Sequence, residues 1–442
     1  MATEQQQRAT PHDTIDEAPR LLIPGVTRRE SLLEYRSRGG YAPEGWAWSP
    51  EELRDLIAAS GLRGRGGAAF PTGRKWHGVA AQPAPRVVLV NAAESEPASA
   101  KDRTLLLRRP HLVLEGALLA ARAIEAREIV LYLHATATEV RASLELALRE
   151  LRAEGARMPH VRIVTAPPSY VAGESSAAVR RANGGPAKPT FKPPRPSERG
   201  VGNRPTLVQN VETLANVPLI ARHGPSWLRD VGSPSLPGTL LVTLSGAVNR
   251  PGVYEVPSGV PLRHIVEDLG GGVIGGASIQ AMLVGGYFAG WLPPEALEQG
   301  ARLEPESLRP WGVSVGSGAI VVVPDWICGL AQAAWLMRFF ADESAEQCGT
   351  CLYGTRAMAD VFSKLLRGTA SQSECDRLRL WAERMLPGRG ACGHLDGAAI
   401  AARTALEVFA DDIKRHALGG GCGRPETVIL PGFEGGVLDV AA

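Results

Sequence analysis

The sequence predicts an α/β protein in three parts: a domain with a largely parallel sheet, a small β-grasp unit and a helical C-terminal region. Three observations predict it. β-rich runs alternate with helical patterns between Trp46 and Asp230, turn chemistry marks a hairpin near Asn249, and the pattern from Trp326 to Ala417 is helical throughout. The corresponding divisions are 46–235, 236–324 and 325–418. An N-terminal extension at 1–45 and a Gly-rich, loosely ordered tail at 419–442 complete the chain.

In the first domain Arg86–Asn91 reads as a buried strand and His111–Glu125 as an apolar helix, followed by a second strand at Glu128–His134. Thr138–Glu154 then sets Val140, Leu144, Leu148 and Leu151 on one helical face, and Val161–Thr165 is a third strand. In the second, Thr239–Gly246 and Val253–Val256 are strands joined through Asn249-Arg-Pro-Gly252, a turn by composition. A helix at Leu262–Leu269 and a strand at Ile279–Val284 complete the β-grasp pattern. In the third, Asp396–His416 reads as one long amphipathic helix.

The 442 residues are 44% hydrophobic and 21% charged, enough to bury substantial cores. Lys plus Arg number 48 against 46 Asp plus Glu, which argues against a nucleic-acid partner or a strongly anionic surface. The polar start lacks the apolar core of a secretory signal. The apolar stretch Ala319–Phe340 is interrupted by Pro324, Asp325, Gln332 and Arg338, so no transmembrane segment is expected. These features predict a cytoplasmic protein, peripheral to a larger complex.

Gly61-Leu-Arg-Gly-Arg-Gly-Gly-Ala-Ala-Phe-Pro-Thr-Gly-Arg-Lys75 combines backbone freedom with Arg63, Arg65, Arg74 and Lys75, the chemistry of a phosphate cradle. It matches neither the P-loop nor the Rossmann fingerprint, and by itself it is equally a flexible basic loop. Asn91-Ala-Ala-Glu-Ser-Glu-Pro97 follows directly on a strand, where open α/β sheets place ligands. Lysine is scarce, with 6 against 42 arginines, yet Lys75, Lys101, Lys188 and Lys192 all fall in the polar motifs of this domain.

Gly61–Trp76, Asn91–Arg103, Tyr170-Val-Ala-Gly-Glu174 and Pro205–Asn216 resemble, in order and spacing, the motifs of the NADH-binding flavoprotein subunit of respiratory complex I. The likeness spans roughly residues 28–418. It implies a Rossmann-like FMN-binding domain, a ubiquitin-like β-grasp of the SLBB type and an iron-sulfur-binding helical bundle. It also implies that Gly64, Arg65, Gly66, Lys75, Asn91, Glu94, Tyr170, Gly173, Glu174, Asn210 and Thr213 hold FMN, and that Phe70, Glu96 and Lys192 meet NADH, with Glu96 the catalytic candidate. For Glu212 and Asn216 a structural hydrogen-bonding role is at least as good a reading.

The sequence departs from that family at several positions. The usual Asp is Ala93, the second carboxylate of the usual Gly-Glu-Glu run is Ser175, and two further aromatic positions fall at Gly78 and Arg195. Each loss removes a contact of about 1 kcal/mol or more. Two consequences compete: a degenerate nicotinamide site, or a more positive pocket that accepts NADPH.

Six cysteines all lie in the C-terminal third, which in such a chain suggests metal or redox chemistry before disulfides. The resemblance implies that Cys348, Cys351 and Cys392 ligate a 4Fe-4S cluster, but the usual first ligand is Ala345. Three readings stay open: an incomplete cluster with an outside ligand, Glu346 or His394 on the fourth iron; substitution by Cys375; or loss of the cluster. Cys328 reads as a buried small hydrophobe and Cys422 as an incidental tail residue.

The implied activity is an FMN-dependent NADH (or NADPH):acceptor oxidoreductase passing electrons to an iron-sulfur or ferredoxin-like protein within a multi-subunit complex. The alternatives are a flavoprotein that exchanges electrons with a ferredoxin-like partner and never meets NADH, and a structural paralogue without cofactor.

Overall fold

The computed structural model describes residues 20–419 and 421–432. The first sheet has four parallel strands, β1 (Arg86–Ala92), β2 (Ala126–His134), β3 (His160–Ala166) and β4 (Thr206–Asn210), in the order β3-β2-β1-β4. Val87 to Val90 are fully buried because helices cover both faces of β1. The order runs outward from β1 in both directions, so a crevice opens beyond the carboxyl ends of β1 and β4. There Asn91 and Asn210 lie side by side in register.

The glycine-rich segment is placed by the helix Pro50–Ser60. Ser49 and Glu52 form a capping box at its start, Pro50 fits the first turn, and Gly61, at φ 72°, ends it in the left-handed region. The chain then crosses the mouth of the crevice and enters the helix Thr72–Ala80.

The second sheet has the order β8-β7-β9-β5-β6, built from β5 (Thr239–Gly246), β6 (Gly252–Pro257), β7 (Ile279–Val284), β8 (Trp291–Leu292) and β9 (Ala319–Pro324). β5 and β9 are parallel, and the other pairs antiparallel. This is the β-grasp arrangement. β9 is the start of the interrupted apolar stretch, and its six residues are all buried.

The third part packs the helices Gly329–Asp342, Gly349–Leu366, Gln372–Leu380 and His394–Val408. No helix among the described residues is long and apolar enough to cross a membrane. The long helix expected at 396–416 is two, because the chain turns at Phe409 before Ala410–Ala417. The Phe409 ring is buried edge-on against Trp291, with centroids 5.0 Å apart, and the turn places it there.

Two sequence divisions differ from the packing. Residues 20–45 join the core of the first domain through Leu21, Leu32 and Tyr35, while the Glu255 carboxylate accepts from the backbone N–H groups of Leu21 and Leu22. Against the expectation of a loosely ordered tail, residues 421–432 lie against the bundle. The Gln332 amide donates to the Thr427 carbonyl at 2.7 Å and accepts from the Ile429 N–H at 3.0 Å, and Leu430 is buried. The rest of that expectation, residue 420 and residues 433–442, lies outside the described residues.

Candidate flavin and electron-transfer site

The crevice beyond β1 and β4 is a cleft of about 380 Å³ walled by all three parts of the molecule. The first domain supplies Gly66, Asn91, Glu94, Glu96, Tyr170, Gly173, Glu174 and Asn210; the β-grasp unit supplies Phe288; the bundle supplies Cys392 and His394.

Close approach of backbone shapes the cleft. A side chain at Gly67, at φ 108°, would place its Cβ 2.9 Å from the Phe288 ring, and one at Gly173 would meet Ser95 Oγ at 2.6 Å. The Asn91 amide donates to the Gly173 carbonyl at 2.8 Å, leaving its Oδ1 buried without a partner. A buried acceptor facing a polar cleft calls for a donor, and a flavin ring edge offers one.

Glu96 is a buried carboxyl in the lining of the cleft. Its Oε2 accepts from the Tyr287 N–H at 3.0 Å and from the Tyr170 hydroxyl at 3.2 Å, and its Oε1 from the Ala98 N–H at 3.4 Å. Burial nonetheless pushes its carboxyl up to about 7, because these hydrogen bonds do not replace the lost hydration. Tyr170, desolvated beside that carboxyl, is held well above its ordinary value.

Two other carboxylates of the cleft lining are engaged at helix N-termini. Glu94 caps the helix Lys101–Arg108, accepting from the N–H groups of Asp102 at 3.1 Å and Arg103 at 2.9 Å, and from the Ser99 hydroxyl at 2.6 Å. Glu174 caps the helix Ser175–Ala182 through the Ser176 N–H at 2.7 Å and pairs with Lys192 at 2.6 Å. Burial raises the Glu174 carboxyl, but Lys192 and the Ser176 hydroxyl outweigh it and hold it below the usual range.

Gly64, Arg65, Lys75 and Thr213, expected at the flavin, are not among the residues that line this cleft. Gly64 and Arg65 line a neighbouring cavity of about 320 Å³. The Arg65 N–H donates to Thr213 Oγ1 at 2.8 Å, so Thr213 anchors the glycine loop. Lys75 donates to the Val208 carbonyl at 3.2 Å, and burial lowers its ammonium. Phe70 is 40% exposed, with the Lys75 Nζ 5.9 Å from its ring centroid. Lys101, outside the set that the motifs assign to the flavin, does line the cleft and bridges Asp102 at 2.9 Å and Glu212 at 2.8 Å. Phe288 is likewise outside that set; the run Gly285-Gly-Tyr-Phe-Ala-Gly290 after β7 is the signal that points to it.

The bundle brings Cys348, Cys351 and Cys392 together. Burial pushes the Cys351 thiol to about 11, and Cys348 and Cys392 further disfavour its ionisation. Burial and Cys348 raise Cys392 in the same way. Ser344 Oγ lies 3.4 Å from Cys351 Sγ. The adjacent Ala345 is buried and offers no donor. Of the substitutes considered, Glu346 is paired with Arg356 at 2.7 Å, and Cys375 has Arg379, Asp376 and Glu374 as its charged neighbours rather than the three thiols. His394 donates from Nε2 to the Phe340 carbonyl at 2.8 Å, leaving Nδ1 buried and unpartnered.

A parallel-sheet domain with its cleft at the strand-order reversal, closed on one side by a thiol-bearing bundle, defines a cofactor-binding α/β electron-transfer protein. Comparison with known proteins agrees. Residues 57–219 match the Nuo51 FMN-binding domain, 241–286 the SLBB domain, and 331–416 the NADH-ubiquinone oxidoreductase-F iron-sulfur binding region. The chain is 34% identical over 400 residues to an F-type subunit of the NADH-quinone oxidoreductase of Rhizobium meliloti, covering 87% of this chain and 94% of that protein. It is 33% identical over 389 residues to the corresponding subunit in Mycobacterium tuberculosis, covering 84% and 86%. Among solved structures it is similar to a chain of an NAD⁺-reducing [NiFe]-hydrogenase, with TM-score 0.79 and 32% identity over 88% of this chain and 67% of that one. The chain belongs to the family of F-type subunits of NADH-quinone oxidoreductase.

Proposed function

We propose that this chain is the nicotinamide-oxidising flavoprotein subunit of a multi-subunit oxidoreductase, taking a hydride from NADH or NADPH and passing electrons to an iron-sulfur partner. The observation that carries this reading is that Glu96 and Cys392 line one cleft. A carboxyl that titrates near neutrality and a cluster-type thiol then serve a single cofactor.

FMN, when bound, accepts two electrons together and releases them singly. Gly66 and Gly67 permit backbone approach to it, Asn91 and Asn210 present amides at the strand ends, and Tyr170 and Phe288 supply apolar walls. Glu96 orients the nicotinamide side and holds or yields a proton near pH 7. Cys348, Cys351 and Cys392 are the ligands for an iron-sulfur cluster, with one iron lacking a cysteine because Ala345 offers none.

The test is the visible spectrum of anaerobically purified protein before and after NADH or NADPH. Bleaching of flavin bands by either nucleotide is expected. Flavin that bleaches with dithionite and with neither nucleotide would replace the dehydrogenase reading by a ferredoxin-linked one.

A further inference from the structure

Two cysteines outside the iron-sulfur set meet in space. Cys328 stands at the start of the helix Gly329–Asp342 and is fully buried; Cys422 lies on the returning tail, partly exposed. His416 joins them from the last turn of the helix Ala410–Ala417. One ligand atom from each of the three lies within 4.8 Å of the others, and the Cys328 Sγ to His416 Nε2 distance is 3.4 Å.

We propose that Cys328, His416 and Cys422 form a structural site for a thiophilic divalent cation, zinc first, that clips the tail to the bundle.

Four features carry this. The Cys328–His416 separation matches the edge of a zinc tetrahedron: bond lengths of about 2.3 Å to sulfur and 2.0 Å to nitrogen give an edge of about 3.5 Å. The His416 ring is set for ligation, since Nδ1 lies 2.6 Å from the Leu366 carbonyl oxygen and must carry the proton, leaving the Nε2 lone pair toward the sulfurs. The tail is turned for it, with Gly421 at φ 65° and Gly423 at φ 74° on either side of Cys422, conformations that let one residue project inward between two reversals. The surrounding frame is braced: Asp412 Oδ2 accepts from the Gln280 amide at 2.7 Å and from the Gly329 N–H at 3.3 Å, and its Oδ1 from Arg424 at 3.0 Å. The Cys328 N–H also donates to the Pro425 carbonyl at 2.8 Å.

Two sulfurs and an imidazole exclude calcium and magnesium, which take oxygen ligands, and favour zinc among abundant ions. Three protein ligands leave the fourth position to water or an outside donor. None of the three is among Cys348, Cys351 and Cys392, so the two metal sites are separable by mutation.

The full chain, loaded with FMN, is incubated with zinc, dialysed free of excess, and its metals are measured by mass spectrometry. Wild type and Cys392→Ser should each retain about one zinc per chain, and Cys422→Ser at least tenfold less while still binding FMN. X-ray absorption at the zinc edge of the wild type should show two sulfurs and at least one nitrogen, a result that needs no variant to fold. Wild type that keeps no zinc, zinc undiminished in Cys422→Ser, a shell without two sulfurs, or a Cys328–Cys422 disulfide in the purified protein would each overturn the proposal.

Discussion

The Tyr170 hydroxyl donates to Glu96 Oε2 across 3.2 Å, joining two segments that the sequence separates by 74 residues. The same oxygen accepts from the Tyr287 backbone, so one carboxylate ties the first domain to the β-grasp unit at the cleft. A group so enclosed carries a pH-dependent load. Its carboxyl is raised from 4.5 to about 7, so the folded state holds the proton more tightly than the unfolded state. The stabilisation is complete below about pH 4.5 and lost as pH rises toward 7, on the order of 3 kcal/mol in all. In flavin-free protein, the melting temperature of Glu96→Gln should therefore gain on wild type between pH 5 and 7 and run parallel to it above pH 8. A constant difference throughout would show that Glu96 is not buried as described.

Lys101 neutralises two carboxylates almost wholly out of solvent, those of Asp102 and Glu212. Lys101→Met removes the ammonium that bridges the two carboxylates. A loss of about 3–5 kcal/mol is expected in urea unfolding, the cost of breaking a buried pair by removing one partner. A loss below about 1 kcal/mol, the range of exposed pairs, would mean that solvent reaches these groups.

Gly173→Ala forces a methyl to within 2.6 Å of Ser95 Oγ and 3.2 Å of the Ala93 carbonyl, whereas Gly78→Ala meets nothing within 4 Å. Flavin titration by fluorescence quenching should show at least tenfold weaker FMN binding for the first and less than a twofold change for the second. Equal affinities would remove Gly173 from the cofactor wall.

Ala345→Cys adds a thiol beside Ser344, whose hydroxyl already touches Cys351. The variant should hold close to four irons per chain after anaerobic reconstitution. Wild type should lose one iron on brief exposure to air and show the electron paramagnetic resonance of a three-iron cluster. Identical iron content and spectra in the two proteins would count against ligation near residue 345.

Ser175 begins the helix that Glu174 caps, with its hydroxyl 3.0 Å from the Glu174 carboxylate. A hollow lined by Arg180 and Arg199 lies alongside that helix. Ser175→Glu places negative charge at a helix N-terminus, where it is favoured, and opposes a phosphate-bearing nucleotide. The ratio of kcat/KM for NADH over NADPH should rise at least fivefold in steady-state assays. An unchanged ratio would place nucleotide discrimination elsewhere.

Much of the fold is legible in the sequence because its signals are local. β1, β2 and β3 are apolar runs bounded by turns, and the helix between β2 and β3 keeps a clean stripe from Val140 to Leu151. β4 and β9 give no such signal: Thr206–Asn210 is short and mixed, and Ala319–Pro324 runs without alternation into the apolar approach to a helix. At the site, Asn91, Glu96 and Asn210, which the motifs single out, line the cleft. Motif order does not show that the Arg65 N–H donates to Thr213 or that Lys75 donates to the Val208 carbonyl, since sequence spacing records neither depth nor direction. The meeting of Cys328 with Cys422 is out of reach for the same reason, because it depends on how residues 421–432 fold back across the bundle.

The cleft draws its floor from the first domain, one wall from the turn that carries Phe288, and another from Cys392 and His394. Synthesis proceeds from the amino end, so the floor leaves the ribosome long before the thiol-bearing wall. Of the three parts that line the cleft, the one that carries the thiols is therefore the last to be made.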